Sequence, residues 1–249
     1  MLTPSIDRTA DTICAVSTPP GVGGIAVIRV SGSQTFTIAE EIFKKKKPVP
    51  FHTLLSHTAH YGKIHCPHSC DLIDEVLLLV LKAPRTYTRE DMVEIQCHGG
   101  FLTVQNILKI LLSRGCRLAQ PGEFTLRAFL NGRLDLVQAE AIMDLITSTS
   151  DQGMKVALNQ LQGDLSTVIQ GIQDQILRFL VPIEAGLDFP EEDIQEHPES
   201  PGGKIVSKVE ETCDLLRSLM TSYDQGKILK QGLATAIIGR PNVGKSSLL

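Results

Sequence analysis

Near the end of the 249-residue chain stands "GRPNVGKSSLL", in which Gly239 to Ser246 fit the phosphate-loop template G-x-x-x-x-G-K-[ST] at every fixed position. Glycines let a backbone curl around a phosphate and turn its N–H groups inward. The start of the following helix adds the positive end of its dipole. Gly239, Val243, Gly244 and Ser247 frame such a cradle. Lys245 is placed to reach β- and γ-phosphates, and Ser246 to offer its hydroxyl to Mg²⁺. The amide oxygen of Asn242 suits a cation beside the phosphates, with a turn-forming role as the alternative. The apolar run "LATAII" just before the loop is expected to be its feeding strand.

Three further charged residues stand out, two of them in otherwise apolar strand patterns. Arg29 shares a strand face with Ile25 and Val27, so its charge needs a partner, a ligand or a route to water. Glu94 alternates with Met92 and Gln96 in "MVEIQ", where a carboxylate either faces solvent or accepts N–H donors from a ligand. Arg133 follows a turn signal in "LNGRLD" and reads as a surface cation or an anion ligand. Other signals favour plainer readings. "HCPHSC" brings Cys66, His68 and Cys70 together with His60 and His65 nearby. It lacks a second ligand pair at zinc spacing, so a surface connection is favoured. Lys44 to Lys47 form a basic run that reads as a solvated loop before it reads as a phosphate contact. "DFPEEDIQEHPESPGG" is an acidic, Pro/Gly-rich connection. No Ser/His/Asp or Cys/His nucleophile set is visible.

These residues need a scaffold of ordinary character. The hydrophobic fraction is 42%, the charged fraction 21% and the net charge −4, which argues against coating nucleic acid through bulk charge. No stretch matches a membrane span. The N-terminus, with Asp7 and Asp11 ahead of any apolar core, is not a signal peptide. Six scattered cysteines are expected to be reduced thiols, and a cytoplasmic location follows.

The first part alternates strand and helix signals. "TICAV", "GGIAVIRVSG", "EVLLLVLKAP" and "MVEIQCHGG" read as strands. "SQTFTIAEEIF" reads as a helix with Ser33 as candidate N-cap, and "LTVQNILKILLSRG" as a helix stopped by Gly115. From Ala128 onward the pattern is helical. Leu158, Leu161, Leu165, Val168, Ile172, Ile176, Phe179, Ile183 and Leu187 form one stripe, expected on a single long helix bent near Pro182. Val206, Val209, Cys213, Leu216 and Leu219 mark another helix. An α+β domain followed by an all-helical one is the fold class.

"DTICAVSTPPGVGGIAVIRVSG", "PRTYTREDMVEIQCHGG", "RLAQPGEFTLRAFLNGRLDLVQAEAIMDLI" and "GLDFPEE" lie in order ahead of "IIGRPNVGKSSLL". Together they resemble the tRNA modification GTPase family known as MnmE or TrmE, from about residue 10 to the end. The resemblance implies a folate-binding, dimerising domain over residues 1–121 and a helical domain over 122–230. Residues 231–249 would hold the first strand and phosphate loop of a Ras-like G domain that is only begun. It maps a 5-formyl- or methylene-tetrahydrofolate site onto Arg29, Glu94 and Arg133. It implies GTP, Mg²⁺ at Ser246 and K⁺ at Asn242. Homodimerisation, tRNA as substrate and the flavoprotein MnmG (GidA) as partner in wobble-uridine modification come with it. Two positions depart from the family pattern: Val22 stands where relatives commonly have Arg, and Arg89 where they commonly have Gly. Residues beyond the loop that read guanine and sense the γ-phosphate are not in this sequence. The chain is therefore expected to be part of a longer protein and not to hydrolyse GTP itself. The alternatives are a non-catalytic folate-binding dimerisation module and a free-standing folate-dependent aminomethyl or formyl transferase.

Overall fold

A computed structural model describes residues 11–45, 49–67, 69–188, 201–231, 236–240 and 243–247. The chain divides into two compact units, Met1–Asp135 and Leu136–Leu249.

The first unit is built on one seven-stranded sheet. Its strands are β1 (Ile13–Val16), β2 (Ile25–Ser31), β3 (Phe43–Lys44), β4 (Thr58–His65), β5 (Leu72–Leu81), β6 (Met92–His98) and β7 (Arg117–Leu118). They lie in the order β3-β4-β5-β6-β2-β1-β7. Every pairing is antiparallel except β1 with β7. Alternation along the strands sorts their side chains. Ala26, Ile28 and Val30 of β2, Leu78 and Val80 of β5, and Val93 and Ile95 of β6 are buried in one core. Helices α1 (Thr35–Ile42) and α2 (Phe101–Ser113) bury Ile38, Ile42, Ile107 and Leu111 in that same core. Arg29 and Glu94 have the opposite parity and belong to the other face.

The helix over "SQTFTIAEEIF" forms, but Ser33 is not its cap. Gln34 takes the N-cap position without a side-chain cap. The Thr12 hydroxyl, reaching across from the chain before β1, accepts the Gln34 N–H at 2.9 Å. A tertiary acceptor thus replaces the local one.

Helix α3 (Glu123–Leu130) belongs to this first unit, so the compact unit runs past the expected division after residue 121 to Asp135. Charge explains the difference. The Arg127 guanidinium, only 3% exposed, bonds Asp11, Glu90 and Glu123. Arg117 joins Asp11 and Glu123 from β7. A helix tied to the sheet by buried ion pairs cannot part from it without leaving those charges uncompensated. Nor does helix run on unbroken from Ala128: α3 ends at a turn through Asn131 and Gly132.

The second unit, among the described residues, is helical: α4 (Leu136–Thr147), α5 (Asp151–Gln162), α6 (Asp164–Asp188) and α7 (Pro201–Gln231). The Ser150 hydroxyl caps α5 by accepting the Gly153 N–H at 3.0 Å. The expected single helix over residues 158–187 is two, divided at Gly163, which has φ 95°. A left-handed residue closes α5 and re-aims the chain, although the apolar steps of three and four continue on both sides. Ala141, Ala157 and Ile172 are buried within this unit. The Thr212 hydroxyl of α7 donates to Gln175 of α6 at 3.1 Å. Most of the acidic stretch after α6 lies outside the described residues, as does His68. Ala236 to Ile238, the described part of "LATAII", are not strand. A strand exists only by pairing, and no strand is described in this unit to pair with it.

Candidate functional site

Arg29 and Glu94 stand directly opposite one another in the β2–β6 register. Such neighbours have Cβ atoms about 5 Å apart, close enough for a direct ion pair. Nε and Nη2 of Arg29 donate to Glu94 Oε1 at 2.9 and 2.7 Å. Both bonds converge on one oxygen, so Arg29 leaves Oε2 unused. The pair is one-quarter exposed or less, with side chains at 25% and 18%.

Two aromatic rings flank the guanidinium. Tyr87, from the β5–β6 connection, has its ring centroid 5.2 Å from Arg29, and Phe124 of α3 has its centroid at 5.5 Å. These are cation–π distances. Tyr87 is held in turn by its hydroxyl, 2.8 Å from the Thr125 hydroxyl. Arg133 comes to the same ring at 4.9 Å and donates to the Tyr87 carbonyl at 3.3 Å. Three residues distant in sequence therefore gather around one tyrosine. Flat aromatic walls, a cation and a carboxylate with a spare oxygen suit a planar heterocycle bearing an N–H edge and a carbonyl.

Neither Tyr87 nor Phe124 stands out in the sequence, because each comes from a connection or helix whose docking on the sheet is not local. The ion-pair network behind them is likewise assembled from distant segments. Its one local trace is the i,i+4 spacing of Glu123 and Arg127 in "EFTLR". Ser31 extends it, with its hydroxyl 2.6 Å from both Thr88 and Glu90. Hydrogen bonds from Arg117, with burial opposing, hold the Glu123 carboxyl down at about 2. Asp11 is lowered too: burial would raise it, but Arg117 and Arg127 outweigh that. All of these groups are engaged with one another, so they fasten the site and do not face a ligand.

Both positions expected to depart from the family pattern are placed. Arg89 has φ 60°, so that position does adopt left-handed backbone, and its Nη1 reaches the Asn131 carbonyl at 3.0 Å. Val22 is 94% exposed and rims a groove of ≈ 640 Å³ between the "PPGVGG" loop and α2.

The phosphate loop belongs to the second unit. Lys245 to Ser247 form a single 3-10 turn, and Gly244 has φ 84°. The Lys245 ammonium donates to the carbonyls of Gly239 and Arg240 at 3.0 and 2.6 Å. The loop's cation is thus folded onto the loop itself. Val243 is exposed, and Asn242 lies outside the described residues.

The remaining polar signals resolve locally. Cys66 and Cys70 flank the β4–β5 turn, where the Cys70 N–H donates to the Cys66 carbonyl at 2.8 Å. Among the described residues no group of three His, Cys, Asp or Glu is placed to hold a metal. All six cysteines are free thiols. Lys44 is an exposed residue of β3, Lys45 follows it half-buried outside any element, and Lys46 and Lys47 lie outside the described residues. Among the described residues no helix is long and apolar enough to cross a membrane.

Comparison with known proteins covers both units. The family model for the GTP-binding protein TrmE N-terminus matches residues 12–133, and that for the MnmE helical domain matches residues 136–237. The tRNA modification GTPase MnmE of Lactiplantibacillus plantarum is 53% identical over 239 residues, 96% of this chain and 50% of that protein. The MnmE of Enterococcus faecalis is 52% identical over 243 residues, 96% of this chain and 51% of its own length. That of Bacillus subtilis is 50% identical over 240 residues, 96% of this chain and 52% of its own length. The chain spans about half the length of these curated relatives.

Proposed function

The chain belongs to the tRNA modification GTPase MnmE (TrmE) family, and on that premise we propose that its first unit binds a 5-formyl- or methylene-tetrahydrofolate at Arg29, Glu94 and Arg133. The observation that carries this is the Arg29–Glu94 pair walled by Tyr87 and Phe124. Glu94 accepts from the N–H edge of the pterin, Arg29 fixes the carboxylate, and the rings cover the heterocycle's faces. Arg133, across Tyr87, meets a carbonyl or carboxylate further along the ligand.

In the whole protein this unit serves a GTPase that modifies the wobble uridine of tRNA together with MnmG, the folate supplying the one-carbon unit. Gly239, Asn242, Val243, Gly244, Lys245, Ser246 and Ser247 hold GTP there, with Mg²⁺ at Ser246 and K⁺ at Asn242. Two copies pair through the first unit, and the protein acts in the cytoplasm. A light-scattering mass equal to one subunit at micromolar concentration contradicts the pairing.

The folate site is tested by calorimetric titration with 5-formyl-tetrahydrofolate. Arg29→Ala and Glu94→Ala each remove a charge-assisted contact worth roughly 1.5–3 kcal/mol, so affinity falls about 10- to 100-fold. Unchanged affinity in both variants removes these residues from the site.

A further inference from the structure

Beyond Tyr87, on the side of Arg133, lies an open cleft of ≈ 390 Å³ lined by His57, Arg85, Thr86, Tyr87, Arg89 and Arg133. All three arginines are exposed. The ion pairs of this unit, among the described residues, engage Arg29, Lys63, His98, Arg114, Arg117 and Arg127, and none uses the arginines of the cleft. Arg89 and Arg133 are positioned instead by backbone carbonyls, those of Asn131 and Tyr87. Carbonyls orient a guanidinium without neutralising it. In a chain of net charge −4, three cations in one cleft with no ion-pair partner among the described residues are not a general basic background.

The backbone marks the same place. Among the described residues, the non-glycine residues with left-handed backbone are His57, Cys70 and Arg89. Two of them, His57 at φ 64° and Arg89 at φ 60°, line this cleft. Conformations of that cost gather where a ligand is held.

We infer that this cleft is an anion subsite for the glutamyl carboxylates of the folate tail, with Arg85 and Arg89 favouring oligoglutamylated forms. The inference rests on the folate reading above. Tyr87 joins the two places: Arg29 lies 5.2 Å and Arg133 4.9 Å from its ring centroid. A ligand anchored at Arg29 and Glu94 has this cleft as its neighbour. A surface that tracks an RNA backbone spreads its cations over several phosphates. Here they close on one short locus, and Lys44 and Lys45 do not line it.

The test titrates the 249-residue chain with the mono- and triglutamyl forms of 5-formyl-tetrahydrofolate, and separately with tRNA. The triglutamyl form binds about fivefold tighter, as expected for exposed charge pairs, and added salt erodes the difference. In the Arg85→Gln/Arg89→Gln double variant the ratio falls to one, while Arg89→Lys alone keeps a ratio above one. A ratio of one in the unaltered chain overturns the subsite, and so does a preference that survives the double variant. A double variant that loses tRNA affinity but keeps the ratio assigns the cleft to RNA phosphates and overturns it as well. Failure of both folate forms to bind removes the folate reading and the subsite together. Equal binding of both forms removes the subsite alone.

Discussion

Arg89 stands at a position expected to depart from the family pattern, and it is one of three non-glycine residues with left-handed backbone among those described. A side chain at φ 60° costs roughly 1–2 kcal/mol, part of which a glycine gives back through its larger entropy loss on folding. Arg89→Gly therefore raises stability by about 0.5–1 kcal/mol, and Arg89→Val lowers it, as denaturant melts of the two variants will show. An arginine standing there despite that cost agrees with a use for its charge. At this scale the strands were legible: alternation set Arg29 apart from Ala26, Ile28 and Val30, and Glu94 apart from Val93 and Ile95. Alternation says which face a residue takes, not which residue of another strand lies opposite. That Arg29 and Glu94 are register partners, and that Tyr87 and Phe124 close over them, depends on pairings between segments far apart in the chain.

Strand β4 shows why some elements stayed hidden. In "TAHYGKIH" the inward positions include Gly62, where a Cβ would come within 2.5 Å of the Phe43 ring. The apolar mass at that point is supplied by a neighbour, so the strand's own alternation is faint. The break at Gly163 is hidden for the opposite reason, since the apolar stripe runs on past a residue whose left-handed backbone ends the helix. Gly163→Ala keeps the stripe but forces a side chain into φ 95°, and is expected to cost about 1–2 kcal/mol in a thermal melt. Helix α3 makes a pH prediction. The Glu123 carboxyl ordinarily titrates at 4.5 and is held near 2 by Arg117, with Arg127 contributing. Its folded value is depressed, so its stabilisation is complete above pH 4.5 and is lost as pH falls through about 2. A shift of that size corresponds to about 3 kcal/mol. Glu123→Gln should be less stable than the parent at pH 7, and the gap between them should narrow as the pH is lowered from 4.5 toward 2. A constant gap across that window would show that the ion pair is not what holds α3.

At the scale of the molecule the two units differ in how their candidate sites are supported. The sheet unit has its buried core, its ion-pair fastening and a side-chain constellation around Tyr87. By contrast, the described approach to the phosphate loop is not strand, and Ile238 is 92% exposed. The Lys245 ammonium spends its donors on Gly239 and Arg240. A phosphate would have to displace those carbonyls, and among the described residues of this unit no sheet holds the loop's N–H groups in place. Phosphoryl transfer is catalysed mainly by positioning and by charges supplied from several elements together. The 249-residue chain is therefore expected to show negligible GTP hydrolysis with K⁺ and Mg²⁺ present, and Lys245→Ala is expected to leave that rate unchanged. Turnover well above background that disappears in Lys245→Ala would mean that the loop assembles on its own when nucleotide binds, and that the contacts of Lys245 seen here are a resting state easily exchanged for phosphate.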